Sequence, residues 1–123
     1  MVDDRPDVIK MASRLLSALG YEITAFSDPE EAYHYYRDNA HRVDLLFTDY
    51  SMPKMSGLDL AEKIRAITPD IPVIIATGNT EKINRDKAAK SGINKVINKP
   101  LMIFEVSKTI REILDHKKGE QER

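Results

Sequence analysis

Cysteine and tryptophan are both absent from this sequence of 123 residues. The lack of cysteine excludes a disulfide framework, a thiolate metal cluster and a cysteine nucleophile, and it fits a protein of the reducing cytoplasm. Long apolar runs are missing as well, because stretches such as residues 73–76 are far too short to cross a bilayer. We therefore expect a cytoplasmic protein with no signal peptide and no membrane contact.

The chain also lacks an excess of positive charge. Its 19 lysines and arginines face 20 aspartates and glutamates, which leaves a net charge of -1. Because nucleic-acid binding depends on a basic field, we expect no nucleic acid among the partners. The length suits one domain with its own core and is too short for two. We predict a domain over residues 1–116 and a charged tail or linker stump over residues 117–123.

Short β-branched runs alternate with longer helical periodicities along the chain. This alternation predicts an α/β fold, in which helices cover both faces of a parallel sheet. Strands are predicted over residues 21–26, 43–48, 73–76 and 95–98, and helices near residues 6–19, 29–40, 57–67, 80–91 and 103–114. The helix over residues 80–91 has few apolar residues and should be weakly anchored to the sheet. Its charges predict a solvated face: Lys82, Arg85, Asp86, Lys87 and Lys90.

Five polar residues lie where the predicted strands end. The carboxyl ends of parallel strands open on one edge of a sheet, and ligands bind at that edge. Taken singly, each aspartate is more simply a turn former or a helix cap, and a strand-end threonine bonds to nearby backbone. Their convergence from distant parts of the chain is what indicates a site: Asp3, Asp4, Asp49, Thr77 and Lys99.

The chemistry of these side chains favours a magnesium-assisted phosphoryl transfer. Carboxylates in one pocket repel each other by roughly 4 kcal/mol per close pair at a protein surface, so they need a cation nearby. Magnesium prefers such oxygen ligands and keeps several waters. An ionised Asp49 could then attack phosphorus and form an acyl phosphate, while Lys99 binds the phosphoryl oxygens. Thr77 could donate a hydrogen bond to the attached group.

Four landmarks follow one another in a fixed order. They are the pair Asp3-Asp4 before the first helix, the segment Asp49-Tyr50-Ser51-Met52-Pro53 with Gly57 after it, Thr77-Gly78, and Lys99-Pro100. In these landmarks the chain resembles the receiver domain of two-component response regulators, over essentially its whole length.

The resemblance implies a flavodoxin-like (βα)5 fold with strand order 2-1-3-4-5. It implies phosphorylation of Asp49 by a histidine kinase or a histidine phosphotransfer protein, and a cis peptide bond between Lys99 and Pro100. Magnesium would be held by Asp4, Asp49 and the backbone carbonyl of Ser51, with assistance from Asp3. The downstream target is not implied.

Three positions depart from the family pattern. The first strand is truncated to Met1 and Val2 before the acidic pair, so the chain is either shortened there or receives that strand in another way. Val96 stands where an aromatic residue often turns inward on activation, so the signal would leave by a shift of population without ring rotation. Arg5 replaces a residue that is commonly acidic beside the metal site.

Other residues receive plainer interpretations. The histidines lack metal-ligand spacing and are expected at the surface: His34, His41 and His116. Of the tyrosines on the second predicted helix, Tyr33, Tyr35 and Tyr36, at least one must face the core. The side chain of Ser51 is given no role.

We expect no enzyme beyond self-phosphorylation and self-dephosphorylation at Asp49, in a domain that is either free-standing or part of a hybrid histidine kinase. One alternative is a receiver-like docking module that is never phosphorylated. A less favoured alternative is a phosphatase that forms an aspartyl phosphate. That chemistry needs a second aspartate two residues after the nucleophile, where this chain has Ser51.

Overall fold

A computed structural model describes residues 1–78 and 92–121 of the chain, with side chains as far as residue 115. The described helices are α1 (Pro6–Ala18), α2 (Pro29–Asn39), α3 (Gly57–Ile67) and α4 (Ile103–Gln121), with a 3₁₀ turn at Ala40–Arg42. The described strands are β1 (Leu46–Asp49), β2 (Val73–Thr77) and β3 (Lys95–Asn98). The helix predicted over residues 80–91, together with its charged face, lies outside the described residues.

The helices begin at the residues that the sequence marks as caps. α1 starts at Pro6 and is followed by Gly20, whose φ of +98° suits a residue without a Cβ. The carboxylate of Asp28 accepts a hydrogen bond from the N–H of Glu30 at 2.9 Å and caps α2. Ser56 begins α3 as the first member of a complete capping box. The predicted starts of these three helices are confirmed.

The sheet is parallel, and its described strands lie in the order β1-β2-β3. Val2 extends it beyond β1 through two isolated parallel bridges, one to Thr48 and one to Phe26. Val2 and Phe26 therefore hold the places of the first two strands in the predicted order. The parallel α/β architecture is confirmed.

Two predicted strands need correction. The strand predicted over residues 21–26 is wrong as a regular strand, because only Phe26 forms a bridge there. A strand needs a hydrogen-bonded neighbour, and Val2 supplies only one residue for this purpose. The strand predicted over residues 43–48 begins at Leu46 and extends through Asp49, so Asp49 is its last residue and does not follow it.

The core lies on both faces of the sheet, as the alternation of side chains along β2 shows. Val73 and Ile75 pack with residues of α2 and α3, whereas Ile74 and Ala76 pack with residues of α1 and α4. All five residues of β2 are buried. Such a strand, covered on both faces, is expected to read as a continuous apolar run.

Fewer apolar side chains of α1 are buried than its apolar content predicts. In α1 only Ala12 and Leu16 are buried, while Met11, Leu15 and the neighbouring Leu19 are 46%, 44% and 48% exposed.

α4 continues to Gln121, past residue 117 where the charged tail was predicted to begin. The domain boundary at residue 116 stays a prediction. Within the described ranges, no helix is long and apolar enough to span a membrane.

Candidate functional site

The site lies at the carboxyl end of β1, where Asp49 is the last residue of the strand. The N–H of Asp49 donates to the carbonyl of Val2 at 2.8 Å, and its side chain is buried, with 6% of the residue exposed. On the other side of Val2, the N–H of Asp3 donates to the carbonyl of Phe26 at 3.1 Å. The parallel pairing thus brings Asp3 and Asp49 to the same edge of the sheet.

Three carboxylates meet at this edge. Oxygen atoms of Asp3, Asp4 and Asp49 all lie within 4.8 Å of one another. Asp3 and Asp49 are buried and Asp4 is half-buried. Carboxylate oxygens in one group are the ligands that hard cations such as Mg²⁺ prefer, so the donor set fits the predicted metal. We call these three residues the acidic cluster.

Lys99 supplies positive charge to the acidic cluster from the end of the last strand. Its Nζ lies 3.3 Å from Asp3 Oδ2 and 3.1 Å from Asp49 Oδ1, and its side chain is only 14% exposed. Its backbone N–H donates to the carbonyl of Thr77 at 2.8 Å, which fixes the start of this side chain beside β2. The peptide bond between Lys99 and Pro100 is cis, as predicted.

Burial raises the pKa of Asp49 above its usual value of 3.8, and the neighbouring charges of Asp3 and Asp4 act in the same direction. Lys99 opposes this shift through a hydrogen bond and its positive charge. The net effect of these interactions is that the protein favours the protonated form of Asp49 more than water does. A cation bound beside Asp49 would favour the ionised form.

Thr77 and the loop after β1 complete the rim of the site. Thr77 is the last residue of β2 and is 4% exposed. The loop is tied at both ends, because the N–H of Tyr50 donates to the carbonyl of Ala76 and the N–H of Gly57 donates to the carbonyl of Tyr50, both at 2.8 Å. Ser51 lies in this loop with an exposed side chain. The role of its carbonyl stays a prediction.

The structure brings the predicted site residues to one edge and leaves the other candidates elsewhere. His34 and His41 are exposed, as expected, and the side chain of His116 lies outside the described part. Tyr36 is the tyrosine that faces the core, where its hydroxyl donates to Thr68 Oγ1 at 2.6 Å. Val96 is half-buried and packs on the α2–α3 side of the sheet.

Two contacts near the site could not be predicted from the sequence. The N–H of Arg5 donates to Asp3 Oδ1 at 2.9 Å, and the guanidinium Nε of Arg5 lies 4.0 Å from the same oxygen. Lys54, with a φ of +74°, extends from the loop after β1 to Asp28 Oδ2 at 3.2 Å. The motif at residues 49–53 indicates the loop, but no spacing in the sequence indicates that Lys54 contacts the residue that caps α2.

Comparison with known proteins agrees with this geometry. A family model described as the response regulator receiver domain matches residues 1–111. The fold is similar to the crystal structure of a response regulator receiver domain protein from Clostridium thermocellum, with a TM-score of 0.89 and 32% identity, covering 95% of this chain and 93% of that one.

Curated relatives are longer proteins. The chain is 33% identical to the sensor protein EvgS of Escherichia coli over 84% of its own length and 8% of the relative's. It is 32% identical to the probable transcriptional regulatory protein TcrX of Mycobacterium tuberculosis over 93% of its own length and 48% of the relative's. The chain thus spans less than half of either relative. With the family model covering nearly all of it, this chain belongs to the response regulator receiver domains of two-component signalling.

Proposed function

We propose that Asp49 is the phosphoacceptor of this receiver domain. The observation that carries the proposal is the position of Lys99 Nζ, which contacts both Asp3 and Asp49 within a group of three carboxylates. Such a lysine would bind an oxygen of a phosphoryl group attached to Asp49, because it already lies 3.1 Å from Asp49 Oδ1.

In the proposed reaction a carboxylate oxygen of Asp49 attacks the phosphorus of a phosphohistidine. The P–N bond breaks, an acyl phosphate forms, and the imidazole takes up a proton as it leaves. Lys99 stabilises the charge on the phosphoryl oxygens, and Thr77 donates a hydrogen bond to them. Lys99 needs to move little before the reaction, because it is already in contact with Asp49.

Magnesium is the proposed cofactor, held by Asp3, Asp4, Asp49 and the backbone carbonyl of Ser51. When bound, the ion would neutralise charge on the carboxylates and on the phosphoryl group. The burial that raises the pKa of Asp49 makes this neutralisation useful, because attack requires an ionised carboxylate.

The proposed partners are a histidine kinase or a histidine phosphotransfer protein. A hybrid kinase is the proposed parent protein, because the chain is 28% identical over 98% of its length to the hybrid signal transduction histidine kinase D of Dictyostelium discoideum. We further propose a cytoplasmic location and no turnover of a free substrate. In this scheme the chain catalyses only the phosphorylation and the dephosphorylation of its own Asp49.

The test is incubation with Mg²⁺ and a small acyl phosphate, followed by intact-protein and peptide mass spectrometry. We expect one phosphoryl group on the peptide that contains Asp49, and none in Asp49→Asn. The control Asp38→Asn changes an exposed aspartate on α2 and should be labelled like the unmodified chain.

Labelling that persists in Asp49→Asn would overturn the proposal. Failure to label the unmodified chain would favour a docking module that is never phosphorylated. Continuous release of phosphate from a phosphate ester would favour a phosphatase instead.

A further inference from the structure

The guanidinium of Arg5 lies at the rim of the acidic cluster. Its Nε is 4.0 Å from Asp3 Oδ1, and 56% of its side chain is exposed to solvent. Lys99 contacts the other oxygen of the same carboxylate, Oδ2, at 3.3 Å and is only 14% exposed. Each oxygen of Asp3 thus faces a different cation, one inside the site and one open to solvent.

Arg5 does not stabilise the helix at whose start it stands. It is the N-cap of α1, but its side chain makes no capping hydrogen bond to any described residue. A positive charge is also unfavourable there, because the amino end of a helix carries the positive pole of its dipole. The backbone N–H of Arg5 donates to Asp3 Oδ1 at 2.9 Å, which fixes where its side chain begins. The site therefore explains this charge better than the helix does.

Arg5 changes the net charge that an incoming group meets. The three ionised carboxylates of the acidic cluster are offset by Lys99 and Arg5, so a bound Mg²⁺ would leave the site with one positive charge. Without Arg5 the same site would be neutral. The oxygens of the cluster lie within 4.8 Å of one another, and Arg5 Nε is 4.0 Å from one of them. The guanidinium is thus within roughly one Debye length of the site, about 10 Å at 0.1 M salt.

We propose that Arg5 is a specificity-determining residue, which favours dianionic phosphodonors over donors of lower charge. This inference rests on the proposed function, because it assigns the class of donor that the same site accepts. The exposed guanidinium attracts the doubly charged phosphoryl group as the donor approaches from solvent. The attack on phosphorus is still made by Asp49, with Lys99 on the phosphoryl oxygens.

The same charge should weaken the binding of magnesium. A cation beside the acidic cluster repels Mg²⁺ as strongly as it attracts a dianion at the same distance. Removal of the charge of Arg5 should therefore shift two measurements in opposite directions, with slower capture of the donor and tighter binding of the ion. A substitution that merely disturbs the site would weaken both. The opposed signs distinguish a role in charge from a structural one.

Two small donors of different charge provide the first test. Acetyl phosphate is a dianion at neutral pH, whereas phosphoramidate carries one net negative charge. With acetyl phosphate, Asp49 attacks phosphorus, the P–O bond to the acetyl group breaks, and acetate leaves. With phosphoramidate the P–N bond breaks, and the nitrogen, which is already fully protonated, leaves as ammonia. Both donors give the same acyl phosphate on Asp49, so the effect of a variant on the two rates can be compared directly.

The second-order rate of labelling is measured in the full chain at low ionic strength, with Mg²⁺ saturating for each variant. Arg5→Glu should lower this rate by about tenfold with acetyl phosphate and by about threefold with phosphoramidate, because the Coulomb energy scales with the charge of the donor. Arg5→Gln should lower the rate with acetyl phosphate by about threefold, and Arg5→Lys, which keeps the charge, should stay within about twofold of the unmodified chain. Equal losses with the two donors, or no loss, would overturn the proposal.

Arg14→Gln is the matched control, because it removes the same charge from an exposed position farther along α1. It should leave both labelling rates unchanged. An equal loss in Arg14→Gln and Arg5→Gln would assign the effect to the net charge of the chain and would overturn a local role for Arg5. In about 0.5 M salt the effect of Arg5→Gln should largely disappear, because screening shortens the reach of the charge. A loss that persists at high salt would also overturn the proposal.

Magnesium titration of the unlabelled proteins gives a measurement that does not depend on labelling. Arg5→Gln should lower the Kd for Mg²⁺ by about threefold at low ionic strength, and Arg14→Gln should leave it unchanged. A higher Kd in Arg5→Gln would show that the substitution damages the site, and it would overturn the proposal.

Failure of this inference can be distinguished from failure of the proposed function. An unmodified chain that neither donor labels would contradict Asp49 as the acceptor, together with the donor selection that rests on it. Equal labelling of Asp49 in the unmodified chain and in all variants would contradict only the role of Arg5.

Discussion

At Asp49, burial opposes the charge that the proposed chemistry needs. Because burial raises the pKa of Asp49, the folded chain binds this proton more tightly than the unfolded chain does. Stability should therefore fall as the pH rises from 3.8 through the raised pKa of the folded state. Above that pH range the ionised carboxylate should lower the folding stability by a constant amount.

The variant Asp49→Asn tests this balance. With a chelator present at pH 7, we expect it to raise Tm by roughly 3 °C or more, because a neutral amide replaces a buried charge. The difference should shrink toward pH 3, where both side chains are neutral. Thermal melts at several pH values measure it. A variant that is less stable at pH 7 would show that the attraction of Lys99 outweighs burial.

Gly57 lies so close to the site that no side chain fits. A Cβ there would clash with the carbonyl oxygen of Asp49 and lie within 3.1 Å of a side-chain atom of Thr48. Gly57→Ala should therefore destabilise the chain by about 1–3 kcal/mol in urea unfolding, although alanine is the better helix former. Gly78→Ala is the control, because its added Cβ meets no atom of the described residues within 4 Å. Equal stability of both variants would contradict the close approach.

At the scale of elements, the start of α3 determines where the loop after β1 ends. Ser56 Oγ accepts from the N–H of Asp59 at 3.1 Å, and Asp59 Oδ2 accepts from the N–H of Ser56 at 3.2 Å. Ser56→Ala should cost about 1 kcal/mol of stability, measured by urea unfolding. The rate of labelling at Asp49 should change little, since Gly57 still holds the loop through Tyr50. A loss below a few tenths of a kcal/mol would show that water replaces the cap.

Elements were predictable where local chemistry alone decides them. The apolar run at residues 73–76 and the caps at Asp28 and Ser56 need no information about distant partners. The strand predicted over residues 21–26 failed because a ladder depends on its neighbour, and Val2 offers one bridge where a full strand would offer several. In α1, apolar residues recur at helical spacing, but only Ala12 and Leu16 are buried.

For the whole molecule, the acidic cluster predicts a stabilising response to magnesium. Mg²⁺ at about 100 times its Kd should stabilise the folded chain by roughly 2.7 kcal/mol, since it binds the assembled carboxylates. Asp4→Asn should reduce the resulting rise in Tm, whereas Asp44→Asn, at an exposed position, should not. Thermal melts with Mg²⁺ and with a chelator measure this. An equal rise in all three proteins would place the ion elsewhere.

The site as a whole could be predicted from the order of its residues along the chain, because the topology of a parallel sheet brings strand ends together. Asp3, Asp49 and Lys99 meet for that reason. The contact between Lys54 and Asp28 was not predictable, since it joins two loops 26 residues apart through a flexible side chain. Such contacts depend on side-chain conformation, which periodicity and capping patterns do not determine.

The ion pair between Lys99 and Asp3 joins residues 96 positions apart. The ribosome makes Asp3 96 residues before Lys99, so the nascent chain carries the acidic pair before this lysine exists. The site can therefore form only after β3 and the Lys99 that follows it have left the exit tunnel. A chain interrupted before residue 99 would therefore carry Asp49, the proposed acceptor, without its lysine.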